Sequence, residues 1–246
     1  MTRTLAWEGL LNVRDLGGHP TEGGGETRWR AVVRADNVRR LTDAGWQALV
    51  DYGVRTVVDL RFHEELAEDP PRELPVDVVH VSLFGQLDPE YGEELMERER
   101  RAPDWSAHLR DLYLEALEGL PENFALAVAA VGDAVPGGVC VHCFAGKDRT
   151  GLVSALVLRL AGVPIDVVAD DYAASEANIG RLIEPWAAKA RDEVERDRRL
   201  RHALTPSTAM HETLTELERR HGSVRAYLES GGAPRESLER LRERLR

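Results

Sequence analysis

Cysteine is scarce in this chain, which has only Cys140 and Cys143 among its 246 residues. Two thiols cannot complete a four-cysteine zinc site, and His142 lies too close to them in sequence to contribute in the usual spacing. A thioredoxin-like pair normally opens a helix, whereas Cys140 lies in a segment that alternates like a buried strand and Cys143 ends it. We therefore expect no bound metal, no cofactor and no dithiol redox function, and we interpret Cys140 as a small core residue.

Long apolar runs are also missing. No stretch approaches the roughly 20 apolar residues that a membrane-spanning helix needs. The segment MTRTLAWEGLLNVRD at residues 1–15 lacks the long apolar core and the small-residue cleavage site of a secretory signal. We therefore predict a soluble, cytoplasmic protein without stable membrane association, and we keep export without a signal peptide as the alternative.

Basic residues are outnumbered by acidic ones, which gives the chain a net charge of −11. This charge disfavours nucleic acids and anionic membranes as partners of the general surface, so an anionic substrate would need a local basic site. Lysine is as rare as cysteine, since Lys147 and Lys189 are the only two. Lys147 lies between Cys143 and Arg149, which suggests a specific role for it there.

Four segments have the length and the β-branched content of strands: residues 28–35, 54–60, 76–84 and 137–143. Helical patterns occur at residues 42–53, 103–119, 122–134, 150–162, 164–177, 180–200, 207–220 and 223–229. This alternation indicates an α/β fold with a mainly parallel central sheet flanked by helices, followed by a helical C-terminal region from about residue 149. No linker is long enough to divide the chain, so we expect one domain over residues 1–246.

The segment CVHCFAGKDRTG at residues 140–151 places a thiol, a glycine and an arginine between a strand and a helix. A helix that begins near Arg149 directs its free N–H groups at this loop, which favours a bound anion and a thiolate. Arg149 adds a planar fork that fits two phosphate oxygens, and Gly146 lets the backbone pass close to a ligand. A nucleotide-binding phosphate loop does not fit, because Asp148 replaces its Ser or Thr and Val141 stands in place of its first glycine.

The run from His142 to Gly151 resembles the HCX5R(S/T)G signature of the cysteine-based protein tyrosine phosphatases. The sequence HCFAGKDRTG as a whole resembles a bacterial branch of that superfamily, which is similar to dual-specificity and phosphoinositide phosphatases through its basic loop. Three further segments resemble parts of the same branch, so the resemblance covers nearly the whole chain: NVRDLGG (12–18), VVDLR (57–61) and GSVRAYLESGG (222–232).

The resemblance implies a metal-independent phosphomonoester hydrolase, a protein tyrosine phosphatase that works through a phosphocysteine intermediate. Cys143 would attack phosphorus, and Thr150 would hydrogen-bond the thiolate and help it leave. His142 and Asp59 would support the loop. The phosphate would be bound by Phe144, Ala145, Gly146, Lys147, Asp148 and Arg149.

The sequence does not identify a single residue as the general acid that protonates the leaving oxygen. Related enzymes use an aspartate on a loop after a strand near the site, and in this chain that position falls on or near Gln86. Asp88 is the nearest candidate, although an aspartate before a proline is also typical of a turn. Asp148, inside the loop, is the other candidate. Asp59, at the end of its strand, could reach the site or could only position the loop. The N-terminal signature either supports the loop or only forms a turn, through Asn12, Arg14 and Asp15.

The expected substrates are phosphorylated proteins or small phosphoesters. Lys147 adds a second positive charge to the loop, which leaves activity on phosphoinositides open. Because Gln86 stands on or near the position where related enzymes have an aspartate, we retain a second hypothesis, a phosphate-binding module that has lost turnover. A third is a sulfurtransferase or an arsenate reductase, because both also use a thiolate in an anion-binding loop.

Overall fold

A five-stranded sheet lies at the centre of the protein, whose computed structural model describes residues 2–67, 69, 73, 75–86 and 89–246. Its strands are β1 (Arg14–Asp15), β2 (Val32–Ala35), β3 (Val54–Asp59), β4 (Asp77–His80) and β5 (Gly138–His142). They are arranged in the order β1-β2-β5-β3-β4, and all neighbouring strands are parallel except β1 and β2. The predicted α/β fold with a mainly parallel sheet is confirmed.

All four predicted strands are shorter in the structure, β3 and β5 by no more than one residue at either end, β2 and β4 by four residues at one end. β2 begins at Val32 rather than at residue 28, because Trp29 and Arg30 form a turn in which Arg30 has a φ of 63°. β4 covers only four residues of the predicted 76–84. β1 is not apparent from the sequence, because a strand of two residues shows no periodicity.

The helices of the described residues are α1 (Asp43–Tyr52), α2 (His63–Ala67), α3 (Pro89–Arg101), α4 (Trp105–Gly119), α5 (Pro121–Asp133), α6 (Asp148–Leu160), α7 (Ile165–Ala173), α8 (Glu176–Ala187), α9 (Glu193–Arg201), α10 (Ser207–His221), α11 (Val224–Ser230) and α12 (Arg235–Leu245). The charged stretch 180–200 belongs to two helices rather than one. Asp192 begins the second by accepting a 2.7 Å hydrogen bond from the Glu195 amide. None of these helices is both long and apolar enough to cross a membrane.

The sheet has a hydrophobic cluster on each face, and residues 139–143 contribute to both. Val139, Val141 and Cys143 belong to the larger cluster, with residues of α4 to α7 and α10 to α12. Cys140 belongs to the smaller cluster, with residues of α1. Successive residues of a strand face opposite sides of the sheet, so the two thiols lie in different clusters. Cys140 is fully buried, and burial raises the pKa of its thiol, which confirms it as a core residue.

The parallel strands β2, β5 and β3 end level with one another, because Ala35 pairs with His142 and His142 pairs with Asp59. The segments that follow these strands therefore meet at one edge of the sheet. Helix α6 leads away from this edge, and 10 of its 13 residues are buried, as predicted for a central helix. Open α/β sheets bind their ligands at this carboxyl edge.

Candidate active site

Residues 143–147 form the loop that connects β5 to α6. Cys143 is 3% exposed, whereas Phe144 is 47% exposed. Gly146 has a φ of +67°, and a Cβ there would lie 2.7 Å from backbone atoms of Ala35 and Asp36. Glycine alone tolerates both this left-handed backbone and this close approach. The loop is therefore pressed against the end of β2, and it leads directly to the free N–H groups of the first turn of α6.

Arg149, in the first turn of α6, is held by two contacts. Its Nη1 and Nη2 atoms donate to the two carboxylate oxygens of Glu65 in α2, the longer bond measuring 3.1 Å. Its guanidinium lies 4.8 Å from the centre of the Phe62 ring. Burial opposes the charge of Arg149, but the Cys143 sulfur and the Glu65 carboxylate outweigh it and raise the pKa of Arg149. Arg149 is therefore a fixed cation that interacts electrostatically with the Cys143 sulfur.

Buried side chains from the N-terminal part of the chain bind the backbone of the loop. Asn12 Nδ2 donates to the carbonyl oxygens of Ala145 and Gly146, both at 3.1 Å. Arg34 Nη2 donates to the Gly146 carbonyl at 2.8 Å. Asn12 and Arg34 are both buried, so these carbonyl groups are bound on the protein side. A loop that binds anions needs this arrangement, because a carbonyl oxygen repels an anion.

Asp171 in α7 pairs with two buried arginines. Its Oδ1 accepts a hydrogen bond from Arg14 Nε at 2.9 Å, and its Oδ2 accepts one from Arg34 Nη1 at 2.7 Å. Burial opposes the charge of Asp171, but the two guanidinium groups hold its pKa well below the usual range. Burial and the nearby Arg14 lower the pKa of Arg34 to about 10. Arg14 Nη1 also donates to Asn12 Oδ1 at 2.9 Å, so this buried ion cluster orients Asn12 as well.

His142 links the start of the loop to β3. Its Nδ1 lies 3.1 Å from the Cys143 carbonyl oxygen, and its Nε2 lies 3.4 Å from Asp59 Oδ2. Asp59 also accepts a 2.8 Å hydrogen bond from Arg61 Nη2. Burial opposes the charge of Asp59, but His142 and Arg61 hold its pKa below the ordinary value. Both residues thus lie where the sequence predicts support of the loop, and Asp59 is an ionised acceptor rather than a proton donor.

Asp148 and Lys147, both predicted to bind phosphate, have different surroundings. Asp148 Oδ1 accepts a hydrogen bond from the Tyr113 hydroxyl, and the Asp148 side chain is 40% exposed. Lys147 Nζ donates to the His202 carbonyl at 3.0 Å and lies 3.6 Å from Asp148 Oδ1, and its side chain is 4% exposed. The Lys147 ammonium group is thus bound by the C-terminal helical region rather than exposed at the surface of the loop.

One predicted hydrogen bond, from Thr150, is absent from the structure, and one predicted proton donor, Asp88, is not described by it. Thr150 is fully buried, but its Oγ1 has no hydrogen-bond partner among the described residues, so the predicted bond to the Cys143 sulfur is absent. Asp88, the other predicted proton donor, lies outside the described residues. In the described part of the chain, no group of three or more His, Cys, Asp and Glu side chains could hold a metal ion.

A sequence model of the tyrosine phosphatase family matches residues 5–246, a range that includes the whole of this site. The chain belongs to the tyrosine phosphatase family. Both the family and the enzyme class that the sequence predicts, a tyrosine phosphatase, are confirmed.

Two curated tyrosine phosphatase family relatives are similar to the chain over most of its length. A tyrosine-protein phosphatase of Nostoc commune is 28% identical over 225 residues, which cover 87% of this chain and 74% of that protein. The triple specificity protein phosphatase PtpB of Mycobacterium tuberculosis is 29% identical over 198 residues, which cover 71% of this chain and 70% of that protein.

Several residues that hold this tyrosine phosphatase site are missing from the sequence-based prediction. Arg34 carries a detectable signal, because it is the one charged residue in the otherwise apolar segment AVVRA. Asp171 carries a weaker signal, because it shares the segment VVADDYA with a second aspartate, Asp170. A buried charge of this kind needs a partner of opposite charge. Glu65 and Tyr113 carry no comparable signal, because each lies in a helical pattern where an exposed glutamate or a core tyrosine is ordinary.

Replacing Asp171 by Asn should destabilise the protein by about 3–5 kcal/mol near neutral pH, because it leaves two buried arginines without their counterion. The pKa of Asp171 is lower in the folded state than in the unfolded state. The contribution of the ionised Asp171 to the free energy of unfolding is therefore complete above its unfolded-state pKa of about 3.9. This contribution is lost as the pH falls through the folded-state pKa. Urea unfolding from pH 7 downward should show the difference between wild type and variant shrinking below about pH 4.

The matched control is Asp170→Asn, because Asp170 precedes Asp171 in α7 and is exposed. Its free energy of unfolding should stay within about 0.5 kcal/mol of the wild type at every pH. An Asp171→Asn variant as stable as this control at pH 7 would contradict the role given to the ion cluster.

Proposed function

We propose that the protein hydrolyses phosphotyrosine through a phosphocysteine intermediate on Cys143. In the first step the sulfur attacks phosphorus, the S–P bond forms as the bond to the leaving oxygen breaks, and Asp148 gives that oxygen a proton. In the second step water attacks the phosphorus and gives a proton to Asp148. The S–P bond then breaks and inorganic phosphate is released. Neither step calls for a metal ion.

The observation that carries this proposal is that Glu65 and Phe62 hold Arg149 in place while it interacts electrostatically with the Cys143 sulfur. A guanidinium group has five N–H donors, and its paired contact with Glu65 uses only one edge. The edge that includes Nε remains for two oxygens of a phosphoryl group. Because Glu65 and Phe62 already hold the side chain, little ordering cost is left for the transition state. The amides at the start of α6 supply further donors to the same anion.

Asp148 is the general acid in this proposal. Its carboxyl group is partly exposed, belongs to the residue next to Arg149, and accepts a hydrogen bond from Tyr113. Asp59 is excluded from the role, because Arg61 and His142 keep it ionised. Asp88 stays the alternative donor.

Thr150 is proposed to assist the departing sulfur. A buried hydroxyl without a partner costs free energy, and Thr150 Oγ1 is such a group. A hydrogen bond to the Cys143 thiolate would satisfy it during catalysis and would stabilise the sulfur as a leaving group in the second step.

Phosphotyrosine is the proposed preferred substrate, and phosphoserine and soluble phosphoinositides are proposed as secondary ones. The name of the mycobacterial relative, a triple specificity protein phosphatase, supports a broad range of substrates. The contact of Lys147 Nζ with the His202 carbonyl weakens the case for strong lipid activity, because that charge is already bound. A preference for aromatic phosphoesters is also supported by Phe144, whose ring is exposed next to Cys143.

With a chelator present, the protein should hydrolyse p-nitrophenyl phosphate and a phosphotyrosyl peptide, and it should act more slowly on a phosphoseryl peptide and a soluble phosphoinositide. Cys143→Ser should abolish all four activities, because a hydroxyl is a far weaker nucleophile at neutral pH. Cys140→Ala is the control that removes the other thiol, and it should retain activity because Cys140 is buried in the other cluster.

Three results would overturn this proposal. Turnover that survives Cys143→Ser would rule out Cys143 as the nucleophile. Tight phosphopeptide binding with negligible hydrolysis would indicate a binding module. Faster turnover of thiosulfate or arsenate than of aryl phosphates would indicate the sulfurtransferase or arsenate reductase alternative.

Asp148→Asn should lose roughly 10²–10⁴-fold in rate on phenyl phosphate, because its phenolate leaving group needs a proton. The loss on p-nitrophenyl phosphate should be much smaller, because p-nitrophenolate leaves without one. Steady-state rates on the two substrates measure this difference. An equal loss on both would assign Asp148 to positioning the loop and would leave Asp88 as the donor.

A further inference from the structure

Two tyrosines are buried behind Asp148, where phenylalanine would supply the same apolar ring. Tyr113 in α4 and Tyr172 in α7 are 0% and 1% exposed, and their rings meet edge to face with centres 6.0 Å apart. Their hydroxyl oxygens are 2.7 Å apart, and Tyr113 also donates to Asp148 Oδ1. A hydroxyl is costly to bury unless it is hydrogen-bonded. The pair therefore indicates a specific polar requirement next to Asp148.

Donor and acceptor counts determine the direction of this hydrogen-bonded chain when Asp148 is ionised. A carboxylate only accepts hydrogen bonds, and a tyrosine hydroxyl has one proton to donate. Tyr113 uses its one proton to donate to Asp148 Oδ1, so in the second hydrogen bond Tyr172 must be the donor and Tyr113 the acceptor. Burial and the nearby Asp148 charge raise the pKa of both tyrosines well above the ordinary value, so both remain donors.

The same pair of hydrogen bonds determines which carboxyl oxygen of Asp148 carries the proton when Asp148 is protonated. Oδ1 faces the Tyr113 hydroxyl proton and lies 3.6 Å from the Lys147 ammonium group, and both contacts disfavour a proton on that oxygen. Oδ2 accepts no hydrogen bond from the described residues. The Asp148 side chain is 40% exposed although Oδ1 is bound to a buried group. The transferable proton would therefore reside on Oδ2, the oxygen to which no described residue donates a hydrogen bond.

Gly151, the last residue of the phosphatase signature, provides the space for this pair. A Cβ at position 151 would lie 3.0 Å from Tyr172 Cδ2 and 3.2 Å from its Cε2. These distances are shorter than ordinary carbon contacts, so the glycine lets the Tyr172 ring approach the first turn of α6. The signature and the tyrosine pair are therefore sterically coupled.

We propose that Tyr113, supported by Tyr172, is the positioning residue for the general acid. Tyr113 binds Oδ1 of Asp148 and thereby keeps the proton on Oδ2 and directs it outward. The inference rests on the proposed role of Asp148. It assigns Tyr113 an effect on protonation of the leaving group, and none on substrate binding.

The test compares Tyr113→Phe with the wild type on phenyl phosphate and on p-nitrophenyl phosphate. Tyr113→Phe should lose about 10-fold in kcat on phenyl phosphate, the effect of one hydrogen bond to a charged group, with little change in KM. The loss on p-nitrophenyl phosphate should be much smaller. In an Asp148→Asn background the Tyr113→Phe loss should disappear, because the two side chains act as one unit. Tyr172→Phe should show the same selectivity with a smaller loss.

Tyr227→Phe is the matched control. Tyr227 is also 1% exposed, and its hydroxyl donates to the Leu117 carbonyl at 2.8 Å. Removing this hydroxyl should lower the thermal unfolding temperature and leave the ratio of the two substrate rates unchanged. If Tyr113→Phe behaves like this control, the Tyr113 hydroxyl has only a structural role.

Equal losses on the two substrates, or a Tyr113→Phe loss that persists in the Asp148→Asn background, would overturn the positioning role. If Asp148→Asn itself shows no leaving-group effect, the general-acid assignment fails first, and the same data reveal this separately. Should Tyr113→Phe fail to fold, the cycle of Tyr172→Phe with Asp148→Asn applies the same criteria.

Discussion

Asp171 lies between Arg14 and Arg34 in the interior of the protein, and the shape of the loop at residues 143–147 depends on this arrangement. Charges removed from water are tolerated only when each is paired and hydrogen-bonded, and all three side chains are nearly inaccessible. The pairing joins α7 to β1 and β2, and the two arginines extend it to Asn12 and to the Gly146 carbonyl. Moving the loop would break hydrogen bonds to buried groups. The loop backbone is therefore fixed in advance of any ligand, and such preorganisation is what the proposed stabilisation of a transition state requires.

The groups assigned to the chemistry are each held from a different part of the fold. The backbone around Cys143 is bound by Asn12, by Arg34 of β2 and by His142 of β5, while Arg149 is bound from α2 and Asp148 from α4. All of these elements converge because β2, β5 and β3 end at the same edge of the sheet. This arrangement explains why one short segment can bring a thiol, a guanidinium group and a carboxyl group to the same edge of the sheet.

Much of this could be predicted from the sequence, because strand content, helix boundaries and the loop signature are local properties. The α1 helix illustrates this, since the predicted range 42–53 agrees with a helix that Thr42 caps and Gly53 ends; the left-handed conformation of Gly53 is known only from the structure. The contacts of Glu65, Tyr113 and Asp171 were beyond prediction, because each joins segments that are distant in sequence. Lys147 shows the same limit, since its partner His202 is 55 residues away. Local patterns identify which residues a site uses, whereas the partners of those residues depend on the tertiary fold.

The most direct measurement is the mass of the protein quenched during turnover of p-nitrophenyl phosphate, followed by peptide mapping. A phosphocysteine mechanism predicts one added phosphoryl group, located on Cys143, which appears with substrate and disappears when the substrate is exhausted. A phosphoryl group on His142 or on any other side chain would contradict the mechanism. So would turnover in which no phosphorylated enzyme forms while the quench demonstrably preserves a thiophosphate ester.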